Sequence, residues 1–220
     1  MSSSKFKLLV FDWDGTIMDS ADNIIECVRE SAKDLSLEIP SDDAVRNIIG
    51  LGLKEAVTEM FPGIDDDLIW KVVERYRVHF LDHKRKPSKL FLGAEEVLRE
   101  IAEKEYLMAV ATGKGRAGLD RVLGYTGLGD LFHTSRCADE SFSKPNPDML
   151  LQIMDEMGVN GEETLMIGDT EYDMQMAVNA GANRLAVSYG SHTQERLMKS
   201  QPLGCLDDIR ELPAWLNCDY

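Results

Sequence analysis

Cysteine is scarce in this 220-residue chain, long apolar runs are missing, and positive charge is outnumbered. The four cysteines, Cys27, Cys137, Cys205 and Cys218, lie far apart, which excludes a closely spaced zinc-type pair. They read as small apolar fillers in a reducing compartment. No apolar stretch reaches the ~20 residues that span a bilayer. Met1 to Lys7 carries no secretory-signal pattern and leads straight into Leu8-Leu9-Val10-Phe11. Lysine and arginine number 24 against 39 acidic residues, a formal net charge of -15. Such a field does not attract nucleic acid or anionic membranes. The expectation is a soluble, cytoplasmic protein without nucleic-acid or membrane partners. An anionic substrate would then need local cations or a metal. Oligomeric state stays open.

What is present suits a folded domain. Hydrophobic residues make up 44% of the chain, enough for a sizeable core. The length fits one large domain or a core with a smaller inserted unit. Short apolar runs with strand character recur at Leu8–Phe11, Leu107–Ala111, Thr164–Ile167 and, more weakly, Leu185–Val187. Helical patterns follow at Ala94–Glu105, Arg116–Tyr125, Pro147–Met157 and Glu171–Ala180. This alternation predicts an α/β fold, a Rossmann-like parallel sheet covered by helices. From about Asp19 to Lys86 the pattern is helical only, with Asp19 or Ser20 as a cap for the first helix. That block predicts an inserted all-helical cap domain at 17–86, with the core formed by 1–16 and 87–220. Lys84-Arg85-Lys86 is expected to be a solvated boundary between them.

Open parallel sheets bind ligands beyond the carboxyl ends of their strands. Four polar clusters fall there. Asp12-Trp13-Asp14-Gly15-Thr16 follows the first strand. Two crowded carboxylates are costly unless a cation sits between them, and magnesium prefers oxygen ligands. A turn with solvated acids is the ordinary alternative. Thr112-Gly113-Lys114-Gly115 offers a hydroxyl and free N–H groups at a helix start, an anion site or a plain strand-to-helix turn. Lys144-Pro145-Asn146-Pro147 sets a lysine on a stiff segment, with Asn146 as N-cap and Pro147 as first helical residue. That lysine either neutralises a phosphate oxygen or is a surface charge. Gly168-Asp169-Thr170-Glu171-Tyr172-Asp173 places Asp169 at a strand end and Asp173 in the next helical turn. Those acids serve a metal site or the helix dipole. His79, His83, His133 and His192 show no metal-ligand spacing.

In this order, the four motifs resemble the haloacid dehalogenase-like phosphohydrolase superfamily, over Phe11 to Asp173. The helical insertion resembles the group with a small cap after the first motif. Phe11 to Ser20, with Ile49-Gly50-Leu51-Gly52, is most similar to phosphoglycolate phosphatase-like members. Gly113 departs from the pattern, since relatives often carry Asn or Ser there. The resemblance implies a Mg2+-dependent phosphatase that hydrolyses a small, phosphoglycolate-like phosphomonoester through an aspartyl-phosphate. It implies Asp12 as nucleophile and Asp14 as general acid, then base. Asp12, the Asp14 backbone carbonyl, Asp169 and Asp173 would hold the metal. Thr112, Gly113 and Lys144 would hold the substrate's phosphoryl oxygens. Arg46 and Lys54 flank Gly50-Leu51-Gly52 and are either substrate contacts or, slightly favoured, surface charges. Asp14 argues against a dehalogenase or phosphonate hydrolase. A sugar phosphomutase on the same core is the main alternative, and a catalytically silent binding protein a further one.

Overall fold

The computed structural model describes residues 5–104 and 106–218. Glu105, the expected end of one helix, lies outside the described residues. In chain order the strands and helices are β1 (Leu8–Phe11), β2 (Met18–Asp19), α1 (Ala21–Asp34), α2 (Asp42–Ile48), α3 (Leu53–Met60), α4 (Asp66–Leu81), β3 (Lys89–Leu90), α5 (Ala94–Ala102), β4 (Leu107–Thr112), α6 (Arg116–Thr126), β5 (Thr134–Cys137), α7 (Asp148–Met157), β6 (Thr164–Gly168), α8 (Glu171–Asn179), β7 (Asn183–Val187), α9 (Gln194–Met198), β8 (Cys205–Leu206) and α10 (Leu212–Leu216). This is a Rossmann-like α/β core with an inserted helical cap.

Six strands form a sheet in the order β5-β4-β1-β6-β7-β8, and every neighbouring pair is parallel. All four residues of β1 are buried because helices cover both sheet faces, as an all-parallel sheet demands. Leu9, Phe11, Leu165 and Ile167 enter one hydrophobic cluster. Their alternating neighbours Leu8, Val10 and Met166 enter another, with Met149 and Ile153 of α7. Phe11 is in register with Val110 and Ile167. The chain therefore leaves β1, β4 and β6 at one level, and the three motifs that follow these strands share one edge.

Strand β5 was not expected. Its sequence, Thr134-Ser-Arg-Cys137, lacks an apolar run because it is an edge strand paired only with β4, and only Cys137 is buried. Cys27 and Cys137 are buried thiols, Cys205 is half-buried and Cys218 exposed.

The cap comprises α1 to α4. Its helices bury Ile25, Val28, Val45 and Ile48 in one cluster and Val57, Phe61, Ile69 and Val73 in a second. The chain enters and leaves it through a two-stranded antiparallel ribbon, in which Met18 pairs with Leu90 and Asp19 with Lys89. Arg85 is no solvated boundary residue. Its side chain is 13% exposed, pairs with Glu26 at 2.8 Å and with Glu30, and donates to the His79 carbonyl at 3.1 Å. It ties the end of the cap back to α1. Among the described residues no helix is long and apolar enough to cross a membrane.

Candidate active site

Asp12 follows β1, and its N–H donates to the Ile167 carbonyl at 2.9 Å. Asp12, Lys144, Asp169 and Asp173 are all buried, at most 1% exposed. Lys144 Nζ donates to Asp12 Oδ1 at 2.7 Å and to Asp173 Oδ1 at 2.6 Å. Asp173 Oδ2 accepts from the Thr170 hydroxyl at 2.6 Å and its N–H at 3.1 Å, closing a capping box on α8. Asp169 accepts from the Ser191 N–H at 2.7 Å and from the Thr16 hydroxyl at 3.0 Å. Gly15 makes this approach possible. Its φ is +86°, and a Cβ there would run into the Asp169 carboxylate.

Carboxylate oxygens of Asp12, Asp169 and Asp173 lie within 4.8 Å of one another. Burial, reinforced by Asp173 and Asp169, pushes the Asp12 carboxyl well up against the pull of Lys144. Burial, then Asp173, pushes Asp169 up to about 7. Burial would lower the Lys144 ammonium, but Asp12 and Asp173 outweigh it and raise it. Lys144 thus pairs with two of the three carboxylates, and Asp169 has no cationic partner among these contacts. Asp12 Oδ2 is buried without a hydrogen-bond partner. An unpaired buried oxygen of this kind costs about 1–3 kcal/mol. An all-oxygen donor set with one unsatisfied oxygen fits a hard divalent cation such as magnesium.

A family model for haloacid dehalogenase-like hydrolases matches residues 9–187. The chain belongs to that family. It is similar to Probable phosphatase IndB of Dickeya dadantii, with 31% identity over 93% of this chain and 91% of the relative. It is also similar to a phosphoglycolate phosphatase of Vibrio parahaemolyticus, 27% identical over 96% of each chain. Among solved structures, a predicted phosphoglycolate phosphatase from Haemophilus somnus superposes with a TM-score of 0.88. At 22% identity, covering 97% of this chain and 99% of that one, it shows the shared fold.

The other candidate residues lie beside this cluster. Asp14 accepts from Lys114 Nζ at 2.8 and 2.7 Å and from the Ser20 hydroxyl at 2.6 Å. Ser20 stands at the N-cap of α1 but makes no capping bond there. Lys114 is a residue whose role the motif reading missed. Its Nζ also lies 4.5 Å from the Phe80 ring centroid, so it joins Asp14 to the cap. Thr112 is buried at the end of β4, and its hydroxyl accepts from the Lys114 N–H at 3.1 Å.

Gly113 lies directly under the cap loop. A Cβ there would collide with the carbonyl oxygens of Gly50 and Leu51. Asn146 does not immediately precede its helix. Pro147 does, while Asn146 Oδ1 accepts from the Asp148 N–H at 3.0 Å, an Asx-type contact. The Lys144–Pro145 peptide is cis.

Of the two flanking cations, Arg46 pairs with Asp22 at 2.8 Å on the surface. Lys54 lines the cavity between cap and core, its Nζ 5.4 Å from the Trp70 ring centroid. A second cap-to-core contact gathers at Asn47. Its carbonyl accepts from the Tyr172 hydroxyl at 2.9 Å and from His192 Nε2 at 3.2 Å. His192 Nδ1 accepts from the Glu171 N–H at 3.1 Å, so the ring is neutral with its proton on Nε2. Burial, then Arg196, holds this imidazole below its ordinary pKa.

Proposed function

We propose that this phosphoric monoester hydrolase works with magnesium and carries the phosphoryl group on Asp12. One observation supports this most: the buried, unpartnered Asp12 Oδ2 beside Lys144, Asp169 and Asp173. Asp12 attacks phosphorus. The new carboxylate–phosphorus bond forms as the bond to the ester oxygen breaks, and Asp14 gives that oxygen a proton. Asp14 then takes a proton from the water that attacks the aspartyl-phosphate, which frees Asp12 and inorganic phosphate.

Thr112, the Gly113 N–H and Lys144 hold the transferring oxygens. Ser20 and Lys114 orient Asp14. Asp12, Asp169 and the Asp14 carbonyl would bind magnesium, with Asp173 supporting. Its charge would offset the repulsion between the carboxylate and the phosphate. Positioning and charge stabilisation are most of what phosphoryl transfer needs. Residues 17–86, as the cap, would close over the site and exclude bulk water.

The substrate in this reading is a small phosphorylated metabolite, with phosphoglycolate the first compound to try. Release of inorganic phosphate is the test. EDTA should abolish it and magnesium restore it. Full activity in metal-free buffer would contradict the carboxylate assignment. An isomerised sugar phosphate in place of free phosphate would mark a mutase.

A further inference from the structure

We infer that the enzyme prefers phosphomonoesters of a bulky, apolar, ring-bearing alcohol over phosphoglycolate. This rests on the phosphatase reading above and narrows its substrate. A cavity of about 570 Å³ opens from Asp12, Asp14 and Gly113 into the cap. At ~30 Å³ per molecule it would hold about 20 waters, so a two-carbon acid would leave most of it filled with water.

Most of the wall beyond Asp12 and Asp14 is apolar, with Lys54, Glu55, Arg77 and Asp139 the charged exceptions besides Lys114. Ile24, Val28, Ile48, Ala56 and Val73 line it. So does the stacked pair Tyr76 and Phe80, with ring centroids 5.8 Å apart and planes 10° from parallel. Lys114 connects this aromatic wall to Asp14, through Phe80 at 4.5 Å and the carboxylate at 2.7 Å. The ester oxygen served by Asp14 therefore departs alongside aromatic rings. Such a wall rewards a flat apolar group through area and stacking.

The cations point the same way. A glycolate carboxylate would need one near the phosphate, because burying it unpaired is costly. Lys114 is occupied by Asp14 and Lys144 by Asp12 and Asp173. Arg77 pairs with Glu74 at 3.0 Å. Lys54 stands over Trp70, which is 46% exposed, and so marks the outer mouth.

The test compares kcat/KM, with magnesium, for 2-phenylethyl phosphate, ethyl phosphate and phosphoglycolate. All three are esters of primary alcohols, which keeps leaving-group chemistry similar. The phenylethyl ester should exceed the ethyl ester by ~100-fold, and phosphoglycolate should do no better than ethyl. Ala56→Phe, which puts a ring into the cavity, should lower the phenylethyl value at least ~10-fold more than the ethyl value. Phosphoglycolate outperforming the phenylethyl ester, or an unchanged ratio in Ala56→Phe, would overturn the inference and leave the phosphatase reading standing. No phosphate release from any of the three, nor from acetyl phosphate, would overturn both.

Discussion

At the sheet edge, Lys144, Thr170, Thr16 and Ser191 tie Asp12, Asp173 and Asp169 down with contacts of 2.6–3.1 Å. Across the cavity the cap presents Ile48, Val73 and Phe80, which have no polar direction to impose. The two regions divide the work by material. In the proposed reaction a rigid charged network would hold the reacting atoms in place, where a small misplacement is expensive. The proposed apolar wall would select by shape and volume, and each change there would cost less. Substitutions at the edge should therefore cost turnover heavily, and substitutions in the cap should redirect it.

The largest effect that would sharpen this contrast comes from Lys144→Met. It leaves Asp12 and Asp173 buried without their shared cation. In EDTA the variant should unfold about 3–5 kcal/mol more easily, the usual result of removing one partner from a buried pair. With magnesium its kcat/KM should fall ~10²–10³-fold. Denaturant unfolding and steady-state kinetics measure the two. A variant of normal stability and activity would mean that the edge is no more demanding than the cap.

The next effect is in pH. The Asp169 carboxyl is raised from the ordinary 3.8 to about 7 in the folded, metal-free protein. Between those values the folded state binds a proton that the unfolded state does not, so stability falls as pH rises. The contribution is fully present below 3.8 and is lost by the time pH has passed about 7. Melting temperature in EDTA should drop from pH 5.5 to 8, and excess magnesium should flatten the slope. A slope of the opposite sign in EDTA would contradict the buried-carboxylate account.

The smallest effect belongs to Arg46→Ala. Its partner Asp22 is almost fully exposed, and such pairs contribute less than ~1 kcal/mol. Kinetics and melting temperature should match the parent protein. A raised KM would return Arg46 to the substrate site.

Much of the edge could be read in the sequence, because three of the four motifs begin directly at the end of a short apolar run that became a buried strand. Asp12 after Phe11, Thr112 ending β4 and Asp169 after Gly168 are of this kind. Lys114 was harder. Its partner Asp14 is 100 residues away, and a lysine at a helix start looks the same with or without it. Arg85 was hidden similarly, since its acids lie on α1, 55 and 59 residues earlier. Strand β5 was missed because an edge strand needs backbone partners more than an apolar pattern. The cap's helices were legible from their periodicity. The cavity they enclose was not, because its volume depends on how four helices pack against the core.

In the proposed reaction Asp12 and Asp14, two chemically alike acids, do different jobs. Rapid-quench phosphate labelling with p-nitrophenyl phosphate tests this most directly, since that leaving group needs no proton. Asp14→Asn should lose ~10²–10⁴-fold in steady turnover. It should still show a burst of phosphoenzyme, because the first step survives and the water lacks its base. Asp12→Asn should not be labelled by any substrate. A burst from Asp12→Asn, or none from Asp14→Asn, would contradict the account.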